Sequence, residues 1–111
     1  MKIENTKAQM RKGVLEYCIL SILESKDAYT SEILSTLKEA EMIVVEGTIY
    51  PLLTRLKNAG LLSYRWEESV SGPPRKYYEL TETGKKFLKE LDQTWTTLEN
   101  AVTKITRAKK N

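Results

Sequence analysis

The chain has 111 residues, of which 41% are hydrophobic and 30% are charged, so it is long enough for about one domain with a modest core. It contains no histidine, which removes the commonest general base and a frequent metal ligand. Its single cysteine, Cys18, excludes an internal disulfide and is expected to be a small core residue. With a net charge of +3 the chain is only mildly basic. The sequence contains no run of about 18 apolar residues, the length that would indicate a membrane span. We therefore expect a cytoplasmic protein that is not an enzyme and uses no metal or cofactor.

Two helices are predicted in the first part of the chain. Apolar residues recur at helical spacing over 10–24 and indicate the first helix. Residues 27–28 are expected to form a turn. The following stretch, 30–40, is predicted to be a second helix, which Thr30 or Ser31 can cap.

The stretch GTIYPLLTRLKNAGLL, residues 47–62, predicts a third helix with an unusual exposed face. Pro51 falls in its first turn, where a missing N–H costs nothing, and Gly60 is placed to end it. One side carries the apolar stripe Ile49, Leu52, Leu53 and Leu56. The other side carries hydroxyls, one aromatic and two cations but no acid, whereas a merely soluble helix usually shows more Glu and Lys.

The periodicity changes after the third helix and predicts a β-hairpin. Leu62, Tyr64 and Trp66 alternate with polar residues, which is typical of a half-buried strand, and Trp66 is expected in the core. Residues 70–74, VSGPP, are rich in turn formers and predict the connecting loop. Alternation resumes over 75–81, and the hairpin is expected to pack on the helices because a lone hairpin is only marginally stable.

A long last helix is predicted from Thr81 onward. Its apolar residues are spaced by three and four, as in the seam of a coiled coil, and they are Leu88, Leu91, Trp95, Leu98, Val102 and Ile105. We expect this seam to form a subunit contact, because the first three helices already cover one another. The alternative is an amphipathic helix that lies on its own domain. The tail that follows is basic and includes Arg107, Lys109 and Lys110.

The order of elements is that of a winged helix-turn-helix followed by a dimerisation arm. The expected fold is therefore mostly α with a small β-hairpin, with a DNA-binding domain over 1–81 and a C-terminal helix and basic tail over 82–111. In such a fold the third helix enters the DNA major groove, where an acid would be repelled by phosphates. The hairpin loop forms the wing. The expected DNA contacts are Thr30, Ser31, Thr48, Tyr50, Pro51, Thr54, Arg55, Lys57, Arg75 and Lys76.

Residues 47–88 also resemble the signature region of the PadR family of bacterial transcriptional regulators. The pieces that carry the resemblance are GTIYPLL at 47–53, RL at 55–56, GLL at 60–62, Gly72, RKYY at 75–78 and LTETG at 80–84. Residues 13–34 are similar to the first two helices of the family. They depart from it after Tyr29, where Thr30 and Ser31 replace the usual glycine-containing turn.

The resemblance implies a homodimeric repressor that binds a pseudo-palindromic operator and leaves it on meeting a small molecule. Trp95 matches the tryptophan of the multidrug-sensing branch, in which flat aromatic compounds insert between paired tryptophans. Other members respond to phenolic acids, and some have no known ligand. A winged-helix module that binds another protein and not DNA is a further alternative.

Trp95 is also unusual in its own right, because its indole is larger than the Leu, Val and Ile that fill the rest of the seam. We expect Trp95 and its symmetry mate, with Leu91, Asp92 and Glu99, to line a pocket for a flat cationic compound, since acids attract a cation and aromatic faces stack on it. The alternative is that Trp95 only packs the seam.

Overall fold

The computed structural model describes residues 1–108, which form four helices and one three-stranded antiparallel sheet. The expected fold class, mostly α with a small β-hairpin and a long C-terminal helix, is confirmed. The elements in chain order are α1 Ile3–Ser25, β1 Ala28–Tyr29, α2 Thr30–Glu39, α3 Glu46–Asn58, β2 Leu62–Ser69, β3 Gly72–Leu80 and α4 Glu82–Thr106. Lys109 and Lys110 of the basic tail lie outside the described residues. No helix among residues 1–108 is both long and apolar enough to cross a membrane.

The first and third helices match their predicted apolar faces. In α3, Ile49, Leu53 and Leu56 are buried and Leu52 is half-buried, as the stripe predicts. In α1, Leu15, Ile19 and Leu23 of the predicted helix are buried in the same core, and Cys18 is partly buried against it. The helix begins at Ile3, seven residues before the predicted start, because the first two turns are largely exposed and leave no apolar periodicity to read.

The hairpin formed by β2 and β3, hereafter the wing, is longer than predicted. Its turn is confined to Val70 and Ser71, and residues 72–74, expected to be loop, belong to β3. The register of the two strands shifts between Glu67 and Ser69. The prolines at 73 and 74 therefore lie opposite an interrupted part of the ladder, where their missing N–H groups are tolerated.

The turn predicted at 27–28 is wrong, because Ala28 belongs with Tyr29 to β1, a strand at the edge of the sheet, and Asp27 lies in the connection between α1 and β1. Ala28 pairs with Tyr78 and Tyr29 pairs with Tyr77. This pairing keeps the backbone extended through Tyr29, so Tyr29 is the N-cap of α2 and the predicted cap at Thr30 or Ser31 is wrong by one or two residues. The N–H of Tyr29 donates to the Glu32 carboxylate at 3.2 Å.

The start of α4 is fixed to the body of the domain by Thr81 and Gly84. The Thr81 hydroxyl oxygen accepts a hydrogen bond from the Gly84 N–H at 2.9 Å, which caps the helix at the residue where its start is predicted. The same oxygen lies 2.7 Å from the carbonyl oxygen of Gly60 and 3.0 Å from that of Leu61. Gly84 is buried so closely against Leu61 that a Cβ there would lie 2.2 Å from the Leu61 carbonyl oxygen.

Two predicted environments are wrong. Leu88, assigned from the sequence to the subunit interface, is only 1% exposed and belongs to the core of its own chain, because the first two turns of α4 pack on the helical body. Trp66, expected in the core, is 62% exposed. The wing extends beyond the helices, so burial along β2 falls from Leu62 at its base toward Trp66.

Candidate nucleic-acid interface

The outer face of α3 is uncovered and free of carboxylates along most of its length. Tyr50 is 50% exposed, and Pro51, Thr54 and Asn58 are exposed on the side opposite the buried stripe. The one acid of the helix, Glu46, is in its first turn, where a negative charge is favourable to the helix dipole. The face therefore offers hydroxyl donors without acidic repulsion of phosphates.

This face forms one wall of a cleft of about 430 Å³ between the start of α2, α3 and the wing. Six of the ten predicted DNA-contact residues line the cleft, namely Thr30, Ser31, Tyr50, Thr54, Arg75 and Lys76. Tyr29, Trp66 and Tyr78 complete the lining, so it contains two cations, several hydroxyls and no carboxylate. Residues from three separate parts of the chain are thus brought to one surface.

The other four predicted contacts lie elsewhere on α3. Thr48, Pro51 and Arg55 line a second groove, of about 540 Å³, between α1, residues 43–45 and α3. Arg55 forms an ion pair with Glu16 of α1, so part of its charge is already compensated. Lys57 is on the wing side, with its ammonium 5.6 Å from the centre of the Tyr64 ring.

The two cations of the wing contact aromatic rings rather than acids. The Arg75 guanidinium lies 4.5 Å from the centre of the Tyr29 ring, and the Lys76 ammonium lies 4.2 Å from that of Tyr64. Neither cation makes an ion pair with a carboxylate within residues 1–108. Both charges therefore remain available to an anion.

Arg65, also on the wing, shows the opposite arrangement. Its guanidinium donates to Asp27 at 2.7 Å, to Glu67 at 2.8 Å and to Glu79 at 3.4 Å. The hydrogen bonds to Asp27 and Glu67 raise the pKa of Arg65 further above its ordinary value. Arg65 thus links the wing to the segment before β1 and has little charge left for a nucleic acid.

Comparison with known proteins identifies the family of the chain. The model of the transcriptional regulator PadR-like family matches residues 19–90, which include α2, α3 and the wing. The chain belongs to the PadR-like family. Its relatives are transcriptional regulators and not enzymes, and members of the family bind DNA.

Solved structures of PadR-like proteins match nearly the whole chain. A PadR-like transcription factor from Bacteroides fragilis is 60% identical, with 91% of this chain and 98% of that chain covered and a TM-score of 0.77. A PadR family regulator from Eggerthella lenta is 31% identical, with 96% and 94% covered and a TM-score of 0.86. A PadR-like regulator from Bacillus cereus is 37% identical, with 91% and 99% covered and a TM-score of 0.81.

A second candidate site of this PadR-like chain surrounds Trp95 on α4. Trp95 is 37% exposed, and its ring centre lies 6.2 Å from that of Tyr17 on α1. The Tyr17 hydroxyl donates to the Asp92 carboxylate at 2.6 Å, and this hydrogen bond raises the pKa of Tyr17 to about 12. Asp92 is therefore engaged within the chain, whereas Glu99 is exposed. Leu91 is half-buried against the core.

Sequence reasoning missed the aromatic residues that accompany both sites. Tyr17 was not connected with Trp95, since helical periodicity in α1 says nothing about α4. The alternation of residues puts Tyr64 and Trp66 on one face of β2. The residue that pairs with Trp66 on β3 is Lys76, so the pairing of the two strands was the signal that could have identified this neighbour.

Proposed function

We propose that this PadR-like regulator is a homodimeric, cytoplasmic repressor that holds a pseudo-palindromic operator and releases it on binding a flat aromatic, cationic compound. The observation that carries the DNA-binding part is the carboxylate-free cleft that joins the start of α2, the outer face of α3 and the wing cations. In this arrangement α3 enters the major groove, and the wing contacts the adjacent backbone or minor groove. Hydroxyls such as those of Tyr50 and Thr54 donate to phosphates or base edges.

The shape of the chain supports dimerisation. Its radius of gyration is 16.5 Å, whereas a compact chain of this length has about 13 Å. The outer part of α4 contributes to this elongation, because its residues from Asp92 to Thr106 are all exposed. Four of the predicted seam residues lie on this exposed part of α4, and all are apolar. Their exposed fractions are 37% for Trp95, 50% for Leu98, 47% for Val102 and 78% for Ile105. A second copy would cover this stripe.

The dimer is tested by charge placed on the seam. The double variant Leu98→Asp with Ile105→Asp is expected to sediment as a monomer at protein concentrations where the wild type is a dimer, since unpaired buried carboxylates are strongly unfavourable. The control is Val70→Asp, because Val70 is an equally apolar residue fully exposed at the wing tip. A double variant that stays folded and dimeric would refute this interface.

DNA binding is tested through its dependence on salt. Replacing Arg75 and Lys76 by Gln is expected to weaken binding to every duplex and to lower the slope of log affinity against log salt by about 0.9 per lost contact. The duplexes are fragments flanking the protein's own gene and a random-sequence control. The control variant replaces Lys86 and Lys89, two exposed lysines of α4, and is expected to keep the wild-type slope. Wild-type slope in the wing variant would exclude the wing as a contact.

The ligand part rests on the partly exposed Trp95 beside the exposed Glu99. Planar cationic dyes are expected to quench tryptophan fluorescence in the wild type and to bind more weakly to Trp95→Ala. Equal affinity in the two proteins would remove the pocket. Binding that leaves operator affinity unchanged would keep the pocket but remove its role in release, because induction requires different affinities for the two states.

A further inference from the structure

The ammonium of Lys76 lies within a cage of three aromatic rings on one face of the wing. Its nitrogen is 4.2 Å from the centre of the Tyr64 ring, 5.4 Å from that of Trp66 and 6.0 Å from that of Tyr78. The rings also contact one another, with Tyr64 edge-on to Trp66 at 6.2 Å and tilted against Tyr78 at 6.1 Å. Four side chains therefore form one connected cluster.

The strand register explains why these residues meet. Trp66 pairs directly with Lys76, and Tyr64 pairs directly with Tyr78. Residues two apart on a strand share a face, and directly opposed residues are the closest neighbours across an antiparallel ladder. The cluster is anchored at one end by Tyr78, which is 5% exposed, and open at the other, where Trp66 is 62% exposed.

An aromatic cage holds a cation without cancelling its charge. A carboxylate partner would compensate the ammonium, as three carboxylates do for Arg65 on the opposite face of the same hairpin. The aromatic ring face attracts the ammonium through its quadrupole and adds no net charge. Lys76 is thus restrained on one side while its full charge faces the cleft that it lines with Tyr50 and Thr54 of α3.

We propose that Tyr64, Trp66 and Tyr78 are positioning residues that hold the Lys76 ammonium ready for a phosphodiester oxygen of a DNA strand running through the cleft between α3 and the wing. This rests on the proposed function of the protein as a DNA-binding regulator. An unrestrained lysine side chain loses conformational entropy about several rotatable bonds when it binds a phosphate. Restraint of the side chain before binding removes part of that entropic cost. The cage therefore increases affinity through Lys76 and not through a DNA contact of its own.

A double-mutant cycle separates positioning from direct contact. Trp66→Leu, Lys76→Gln and the double variant are compared with the wild type for binding to one duplex over a range of salt concentrations. We expect Lys76→Gln to lower the salt slope by about 0.9 per subunit, because it removes one cation. Trp66→Leu is expected to reduce affinity about three- to tenfold with an unchanged slope, because the charge remains. In the Lys76→Gln background Trp66→Leu is expected to have no further effect.

Two further measurements make the result specific to the cage. Trp66→Phe keeps a ring beside the ammonium and is expected to recover most of the affinity only where Lys76 is present, whereas packing of the ring on Tyr64 would give the same recovery in the Lys76→Gln background. The side-chain methylene protons of Lys76 are expected to shift downfield in Trp66→Leu, because the ring current of the indole is lost. Trp66 is exposed, so both variants are expected to unfold at the wild-type urea concentration.

The proposal and the proposed function fail in different ways. An equal loss from Trp66→Leu in both backgrounds would show that the indole acts independently of Lys76 and would overturn the positioning role. Wild-type affinity in Trp66→Leu would overturn it as well. If the wild type bound no duplex in a salt-dependent manner, the DNA-binding function itself would fall and the cage proposal with it.

Discussion

Replacing Gly84 by Ala is expected to destabilise the protein, although alanine is the better helix former. Gly84 lies in the first turn of α4, where a Cβ would be 2.2 Å from the Leu61 carbonyl oxygen and 2.7 Å from a methyl group of Leu80. The first of these neighbours is backbone, which cannot rotate away, so the helix and the start of β2 must separate by about 1 Å to restore an ordinary contact. The Thr81 hydrogen bonds hold the same two segments together and oppose that movement.

The expected magnitude follows from two opposing contributions. Overpacking of a filled site costs about 1–3 kcal/mol, with larger values where the neighbours are rigid. Alanine in place of glycine within a helix returns up to about 1 kcal/mol. We therefore expect Gly84→Ala to lower the free energy of unfolding by about 1–2 kcal/mol. The matched control is Gly13→Ala in α1, where nothing lies within 4 Å of the new Cβ. That variant is expected to gain about 0.5–1 kcal/mol.

Urea unfolding followed by circular dichroism distinguishes the two variants. With a slope of about 2 kcal/mol per molar urea, their midpoints should differ by about 1 M, in opposite directions from the wild type. All three proteins must be compared at one protomer concentration, because association stabilises the folded state. A Gly84→Ala protein as stable as the wild type would show that α4 and β2 adjust freely, and would refute the close approach as the reason for a glycine at this position.

Three other outcomes are expected. Burial raises the pKa of Cys18, so its thiol should react with a disulfide reagent at pH 8 more slowly in the folded protein than in urea, and equal rates would contradict this burial. Tyr17 has a pKa raised to about 12 by its hydrogen bond to Asp92, so that bond stabilises the fold fully below the unfolded pKa of about 10 and is lost as the pH rises through about 12. In an alkaline absorbance titration, Tyr17→Phe should lack the tyrosine that ionises last. A tyrosine ionisation that still occurs near pH 12 in this variant would show that another tyrosine is responsible. Thr81→Ala should cost about 1 kcal/mol in urea unfolding through loss of the cap of α4, whereas an unchanged midpoint would mean that the cap contributes nothing.

Features set by local periodicity were predictable from the sequence. The buried stripe of α3 follows from apolar residues at the helical period of 3.6 residues, and the two faces of the wing follow from the strand period of two residues. The same rule identified the exposed face of α3, and Thr81 followed by the acidic Glu82 indicated the start of α4. The order of the predicted elements indicated the winged helix-turn-helix architecture, and the family resemblance added the expected partners and ligands.

Features set by contacts between distant segments were not predictable. β1 is two residues long and exists only because Ala28 and Tyr29 pair with residues 77–78. Arg55 was placed correctly on an exposed face, but its neighbour Glu16 belongs to α1, and helical spacing does not identify the residue beside an exposed side chain. Leu88 has the spacing of the seam, yet spacing alone does not tell whether a chain's own core or a partner covers it.

The contact of Tyr17 with Asp92 marks the point about which the outer part of α4 would pivot if it tilted against the body of the domain. Beyond Asp92 the helix continues for 14 residues to Thr106 without a buried position, a length of about 21 Å that contacts α1 through the rings of Trp95 and Tyr17. A tilt of about 10° at the pivot would move the far end by about 4 Å, since α-helices of this length behave as stiff rods at 1.5 Å per residue. In the proposed dimer joined along that outer part, such a tilt would change the separation of the two α3 helices, which in the proposed operator complex is one turn of DNA, about 34 Å. Trp95 lies about one helical turn from the pivot. A compound bound there would therefore need to rotate α4 only slightly to move the two α3 helices away from the spacing of the operator half-sites.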